Sequence, residues 1–241
     1  MAFIHGKSAA VLHGAYDLSS YLNNGSANSS VDTNETTAFG STAKTFVTGL
    51  RDSTLSASGM FDGSASAVDE VLTASIGSDT LSPITFASGG LAIGNRVVLL
   101  QGKTKSYSVT APVGDVVSVS YEAQSDGGND YGISLCSLAS IAATTNSTSQ
   151  DNAASTANGG IAQVHVTVNS WSADSTIKVQ HSSDNSTWAD LASFTVVATT
   201  VTTSERVTVA AGTTVNRYLR AQNTLTAGTG SITYQVSFAR R

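Results

Sequence analysis

Apolar and polar residues alternate with a period of two along most of the chain. Val117, Val119 and Tyr121 interleave with Ser118, Ser120 and Glu122. Val164, Val166 and Val168 interleave with His165 and Thr167, and Ile177 and Val179 with Lys178 and Gln180. Ile232, Tyr234, Val236 and Phe238 end the chain in the same way, and Leu55, Ala57 and Gly59 share one face of residues 53–61. Each run predicts a half-buried strand. Turn clusters such as Asp126-Gly127-Gly128-Asn129 and Ser183-Asp184-Asn185 separate them. One segment departs from the rule. Residues 64–76 place Val68, Val71, Leu72 and Ile76 at helical spacing. Asp62 and Ser64 can cap its start, and Gly77 can take the left-handed position past its end. The apolar stripe is expected to pack on the β-core. A shorter helical turn is expected at residues 17–22.

The stretch 142–160 (AATTNSTSQDNAASTANGG) has almost no large apolar residue and reads as a polar linker or long loop. It divides the chain into a helix-containing β unit, 1–141, and an all-β unit, 161–241. The fold class is therefore mainly all-β with one principal helix.

Composition narrows the function classes. Only 12% of the residues are charged, about half the usual share, and Ser, Thr, Ala, Gly and Asn fill the gap. Small polar side chains lose little rotamer freedom when an interface holds them, so they suit surfaces that pack on copies of themselves. The net charge of −5 and the lack of a basic patch argue against tight gripping of nucleic acid. The N-terminal MAFIHGKSAAVL lacks the apolar stretch of a signal peptide, and no segment is long and apolar enough for a membrane span. The chain is therefore expected to be made soluble in a cytoplasm. Cys136 is the single cysteine and reads as a strand position. His5, His13, His165 and His181 lack the close pairing of a zinc motif, and His165 falls on the polar face of its strand. No nucleophile elbow, Walker loop or HExxH occurs. Neither a catalytic site nor a cofactor nor a metal is expected. Trp171 and Trp188 fit a sugar platform or a sheet-packing role equally well.

An ordered series of segments fills the first quarter of the chain. Tyr16-Asp17-Leu18-Ser19-Ser20-Tyr21-Leu22-Asn23 is followed by the acidic, Thr-rich run from Asp32 through Glu35 to Phe39-Gly40. Lys44-Thr-Phe46-Val-Thr-Gly49-Leu50-Arg-Asp52 comes next, then Leu55 to Gly63 leading into the helix. This order resembles the N-terminal half of bacteriophage tail tube (major tail) proteins, and the likeness extends loosely through Cys136. The resemblance implies an antiparallel β-sandwich or barrel of two packed sheets with a flanking helix. It implies homo-oligomeric rings, usually hexamers, stacked into a tube whose inner sheets join around a channel for DNA. It also implies a virion location after assembly in the host cytoplasm, with a tape measure protein and a tail terminator as further partners. The C-terminal β-sandwich unit is an addition to that pattern. It fits an exterior decoration tethered by the linker, or a second tube-like domain that lets three chains make a pseudo-sixfold ring. A carbohydrate-binding or adhesin-like β-sandwich virion protein is the alternative reading.

Within the resemblance, residues 36–50 are expected to form a ring-stacking loop that carries Thr37, Phe39, Gly40, Lys44, Phe46, Gly49 and Leu50. The strands flanking it are expected at 26–35 and 52–61, with Gly40 and Gly49 as hinges and Lys44 facing an acid on the neighbouring ring.

Overall fold

The computed structural model describes residues 5–241. A single 3-10 turn, Gly6–Ser8, precedes β1 (Ala10–His13), β2 (Tyr16–Asp17), β3 (Leu22–Glu35) and β4 (Phe46–Met60). Helix α1 (Val68–Ser75) leads to β5 (Ser82–Ala87), β6 (Arg96–Thr110), β7 (Ser118–Ser125) and β8 (Asp130–Ile141). Two short strands follow, β9 (Thr145–Asn146) and β10 (Gln150–Asp151). The chain ends with β11 (Gly160–Asn169), β12 (Ser175–Ser182), β13 (Ala189–Ser193), β14 (Thr203–Val209), β15 (Tyr218–Leu225) and β16 (Ile232–Arg240). The all-β class read from the alternation is what the chain adopts, with α1 as the α-helix among the described residues.

Eleven strands form one hydrogen-bonded network along β14-β11-β16-β8-β6-β5-β1-β2, with a branch. The branch exists because β6 is long enough to serve two sheets. Its first part pairs with β5 and β8, whereas residues 102–110 pair with β7. A bulge between Thr104 and Ser106 bends it between the two roles. β7 pairs with β4 and β4 with β3, all antiparallel, so β6-β7-β4-β3 is a four-stranded sheet of its own. A second, five-stranded sheet runs β10-β15-β12-β13 with β9 also on β15.

Two cores follow from this layout. In the first, Leu55, Ala57, Val119, Tyr121 and Ala123 on one face of the branch sheet pack against Val68, Val71 and Leu72 of α1. In the second, Val164, Val166, Val236 and Phe238 face Ile177, Val179, Leu219 and Ala221 of the five-stranded sheet. Ala10, Ala87, Val97, Leu99, Ile161 and Ala239 form a smaller cluster that joins residues from both halves of the chain.

The helix is shorter than the apolar spacing predicts. Its N-cap is Ala67 and makes no side-chain capping bond. Asp62 instead accepts the Ser64 N–H at 2.8 Å in a turn ahead of the helix, and Ser66 sits at φ 60°, which interrupts helical backbone. Ile76 ends the helix as its C-cap and is 46% exposed, so it is not part of the packing stripe. Gly77 does take the left-handed conformation, at φ 74°. Leu72 is fully buried, so Leu72→Ala should cost roughly 2–5 kcal/mol in chemical denaturation of the isolated subunit. An unchanged midpoint would show that the helix does not brace the sheet.

Residues 17–22 hold a single hydrogen-bonded turn, Tyr21 N–H to Leu18 O at 3.1 Å, between β2 and β3. Residues 142–160 are a long loop with two short strands. β9 and β10 add to the edge of β15, and Asp151 takes a two-pronged bond from Arg217 at 2.7 and 2.6 Å. β8 also pairs with β16 from Ile133 to Ile141, so the C-terminal strands continue the sheet of the N-terminal ones.

Candidate functional site

The most unusual surface is the hairpin of β3 and β4. Residues 28–52, 25 in succession, are all exposed. β7 stops pairing with β4 at Thr54, so the eight residues from Phe46 to Ser53, with their partners on β3, continue as a two-stranded arm. At ~3.3 Å per residue the arm reaches roughly 25 Å past the sheet. A bare hairpin of this kind is marginal in water. Its sequence explains its exposure: β3 reads LNNGSANSSVDTNE, with almost nothing to bury. What apolar surface it has points to solvent. Phe39 at the tip is fully exposed (109%), Leu50 is 80% exposed, and Val31, Phe46 and Val47 are also exposed.

The connecting loop is shorter than expected, residues 36–45, because β4 begins at Phe46 and not at Asp52. Thr37, Phe39, Gly40 and Lys44 lie on the tip, whereas Phe46, Gly49 and Leu50 lie on β4. Gly40 turns the tip at φ 86°. Gly49 is no left-handed hinge. It lies with Leu50 at a register shift opposite Val31 to Thr33, where a side chain would meet Asp32 at 3.1 Å. The tip is closed by Thr36 N–H to Thr45 O at 2.8 Å and by Thr45 N–H to the Thr37 hydroxyl at 3.1 Å. Lys44 pairs with Glu35 of the same arm at 2.9 Å and, with Thr37, lowers the Glu35 carboxyl pKa.

The arm's root depends on a residue that the sequence pattern does not single out. Asn129 is buried and donates through Nδ2 to Asn28 O at 3.1 Å and to Ser29 Oγ at 3.0 Å. Its own carbonyl accepts from Arg51 at 2.9 Å. The only signal for it is its place in the Asp126–Asn129 turn cluster, where a buried side chain is not expected.

At the other end of the same four-stranded sheet lies a second apolar patch. Met60, the last residue of β4, pairs with Ser118, which pairs with Thr110. Phe61 N–H donates to Val117 O at 3.0 Å, next to the loop joining β6 and β7. Met60, Phe61, Val109, Val113 and Val116 are all exposed at this end, Val113 completely (110%), with Met60 on the face away from α1 and Val109, opposite Val119, on the core face.

Between the two ends, the sheet has a core face and a polar face. Ser26, Ser56, Ser58, Ser106, Ser108 and Ser120 point away from α1, and several of them line a shallow concavity. One ion pair crosses this face, Lys105 to Glu122 at 2.7 Å. Both lateral edges are open. Among the described residues, β3 pairs only with β4, and residues 105–110 of β6 pair only with β7, since Thr104 also bridges to Ile76 past α1. Since the four strands alternate in direction, β3 of one copy and β6 of the next would meet antiparallel after a simple rotation.

The buried polar groups have structural partners. His165 is buried, not on an exposed strand face as its alternation suggests, because β2, Gly14 of the β1–β2 turn and Thr85 of β5 lie against that side of β11. It donates from Nδ1 to Gly14 O at 2.7 Å, and its Nε2 lies 2.8 Å from the Thr85 hydroxyl. His13 lies 2.8 Å from the Tyr121 hydroxyl. Burial pushes both histidines down to about 4 and the Cys136 thiol up to about 12, which makes that thiol a poor nucleophile. Among the described residues, no three of His, Cys, Asp and Glu come together as a metal site. Trp171 is buried and donates to Thr226 O at 3.1 Å, a packing role. Trp188 is half-buried, with the Arg220 guanidinium 4.1 Å over its ring.

No protein-family model matches the chain, and no curated protein matches it. Among solved structures it is similar to a chain in the tail of an empty gene transfer agent particle refined with C6 symmetry. That likeness has 14% identity and a TM-score of 0.44, and it covers 54% of this chain and 98% of the other. The Dit protein of phage SPP1, a hub adsorption apparatus protein, is similar at 15% identity and a TM-score of 0.36, with 96% and 98% of the two chains covered. A chain of the phage p2 baseplate in its activated conformation follows at 9% identity and a TM-score of 0.33, with 97% and 98% covered.

Proposed function

We propose that this chain is a tail tube subunit of a tailed phage, a structural protein that closes into rings and stacks them around a channel for DNA. The observation that carries this reading is the four-stranded β6-β7-β4-β3 sheet with two open edges of matching direction. An unused edge invites uncontrolled association, and lateral closure of β3 onto β6 of the next copy removes every such edge from the ring. The polar face, dominated by serine and crossed by one ion pair, then lines the channel. A duplex slides past such a wall because no cationic surface holds its phosphates. Six chains are favoured over three, since the five-stranded sheet ends on one side in the two-residue strands β9 and β10 and lacks a long edge there. Residues 161–241 then stand outside the channel wall, and residues 142–160 run between the two units. The further partners are a tape measure protein inside the growing tube and a terminator at its end, with the assembled tail as the destination.

In this reading the β3–β4 arm stacks the rings. Negative-stain microscopy of the concentrated protein should show hollow tubes. Phe46→Asp should leave the subunit folded and soluble but abolish tubes, because the new carboxylate would be buried without a partner at the contact. Tubes of normal length from that variant would remove the arm from the stacking mechanism.

A further inference from the structure

Resting on the stacking role of the arm, we propose where it lands: on the apolar patch of Met60, Phe61, Val109, Val113 and Val116 of a second copy of this chain. Arm and patch occupy opposite ends of one sheet, since β4 runs from Phe46 in the arm to Met60 in the patch. Those 15 residues span roughly 45 Å at ~3.3 Å each, so an arm cannot fold back onto its own patch. A contact between two different surfaces at opposite ends repeats from copy to copy and generates a filament rather than a closed dimer.

Size and charge support the same occupant. The arm offers 25 successive exposed residues, and a stable interface takes about 20–30 residues from each side. Phe39, Phe46 and Leu50 supply the large apolar anchors that such contacts concentrate their energy in. Five exposed apolar side chains gathered at one end of the sheet, on both of its faces, offer the apolar surface such anchors need. Tip residues 36–45 carry Lys44 and no acid, whereas segments 60–66 and 109–117 carry Asp62 and Asp115 and no Lys or Arg. Lys44 is free to exchange Glu35 for one of these, because its present ion pair is largely exposed and worth little.

The test uses two full-length variants that each lose one end. Phe46→Asp spoils the arm and keeps the patch. Val113→Asp with Val116→Asp spoils the patch and keeps the arm, and both sites are exposed enough to leave the fold intact. Neither variant alone should form tubes. Mixed one to one, the intact arm of one should dock on the intact patch of the other and allow a single stacking step, read by sedimentation as a 1:1 complex or a pair of rings and nothing longer. Normal tubes from the Val113/Val116 variant overturn the proposal and leave the arm's role standing. A mixture that behaves as its separate components overturns it equally. Normal tubes from both variants, or a wild-type chain that stays monomeric at every concentration, reject the stacking role as well. Should the double variant misfold, Phe39→Cys and Val113→Cys chains replace it, with Cys136 buried and inert. With air or copper-phenanthroline as the two-electron oxidant, a disulfide between the two chain types, and between neither type alone, is the expected product in assembled tubes, and its absence there overturns the proposal.

Discussion

A chain ended at Ile141 should fail to give a soluble folded subunit, although its sequence looks like a complete β unit with a helix. The reason is the β8–β16 pairing. From Ile133 to Ile141, β8 takes its partner from Ile232 to Phe238 of β16. The Leu135 and Cys136 side chains face the second core, where Val236 and Phe238 also pack. Truncation bares that row and leaves a long apolar edge strand, the arrangement most prone to aggregate. It also strips β1 and β5 of their cover. Gly14 and Thr85 lose His165, and Ala87, Val97 and Leu99 lose Ile161 and Ala239. Buried apolar side chains lost at several sites each cost a few kcal/mol, and the sum exceeds the ~5–15 kcal/mol stability of an ordinary domain. Expression of residues 1–141 should yield inclusion bodies, or a species that binds hydrophobic dye and lacks a cooperative melt. A soluble 1–141 fragment with a sharp melting transition would instead make the C-terminal unit an independent decoration, and the exterior module would be dispensable for tube formation.

This dependence is hidden from the sequence for a physical reason. Period-two alternation marks strands that have one wet face, and β7, β12 and β16 are legible from it. It does not say which strand pairs with which, so a polar low-complexity stretch looks like a boundary when the sheet in fact continues across it. β11 misleads in a different way. Gln163 and His165 alternate with valines as solvent-facing residues do, yet both are buried, because Thr85, Gly14 and Arg206 satisfy them. Hydrogen-bonded polar groups can be buried at modest net cost, and a sequence pattern cannot separate that case from exposure. The arm fails in the opposite sense. Its residues carry little apolar alternation, so the pattern starts β4 at Asp52 instead of Phe46. What holds that part of the strand pair is backbone pairing and the Asn129 clamp at its root, neither of which leaves a pattern in hydropathy. The candidate loop residues do lie together on the arm, but the surface at the far end of the sheet is not foreseeable, since Met60 and Val113 are distant in sequence and come to the same end of the sheet only through the register of β4, β7 and β6.

The subunit should lose stability steeply between pH 6.5 and pH 4. His13 and His165 have folded pKa values near 4, lowered from 6.5 by burial first, and for His13 also by the neighbouring His165. In the unfolded chain both titrate near 6.5. Between the two values the unfolded state binds more protons, so acid favours unfolding, and the stability present above pH 6.5 drains away as the pH falls to 4. Each histidine contributes about 3 kcal/mol over that interval at ~1.4 kcal/mol per pKa unit. The geometry explains why neither group can accept a proton in place. The Nδ1–H of His165 is committed to Gly14 O, which leaves Nε2 as the acceptor facing the Thr85 hydroxyl at 2.8 Å and Gln163 Nε2 at 3.1 Å. Protonation would turn that acceptor into a donor directed at the Gln163 amide N–H. The surrounding charges do not rescue it. The bond to Gly14 O and the charge of Asp17 favour the cation, but less than burial opposes it. His13 faces the Tyr121 hydroxyl on one side and has no partner for Nε2 on the other. Asp151 and Asp184 do not confuse the reading, since both carboxyl groups are held below their usual range and their contribution is lost only at lower pH. Urea unfolding of the Phe46→Asp monomer, which avoids assembly, should show a plateau above pH 6.5 and a falling midpoint below it. His165→Gln, which cannot titrate, should remove about half of that slope while lowering the plateau. An unchanged slope in the variant would place the acid sensitivity elsewhere and leave the buried histidines as silent packing.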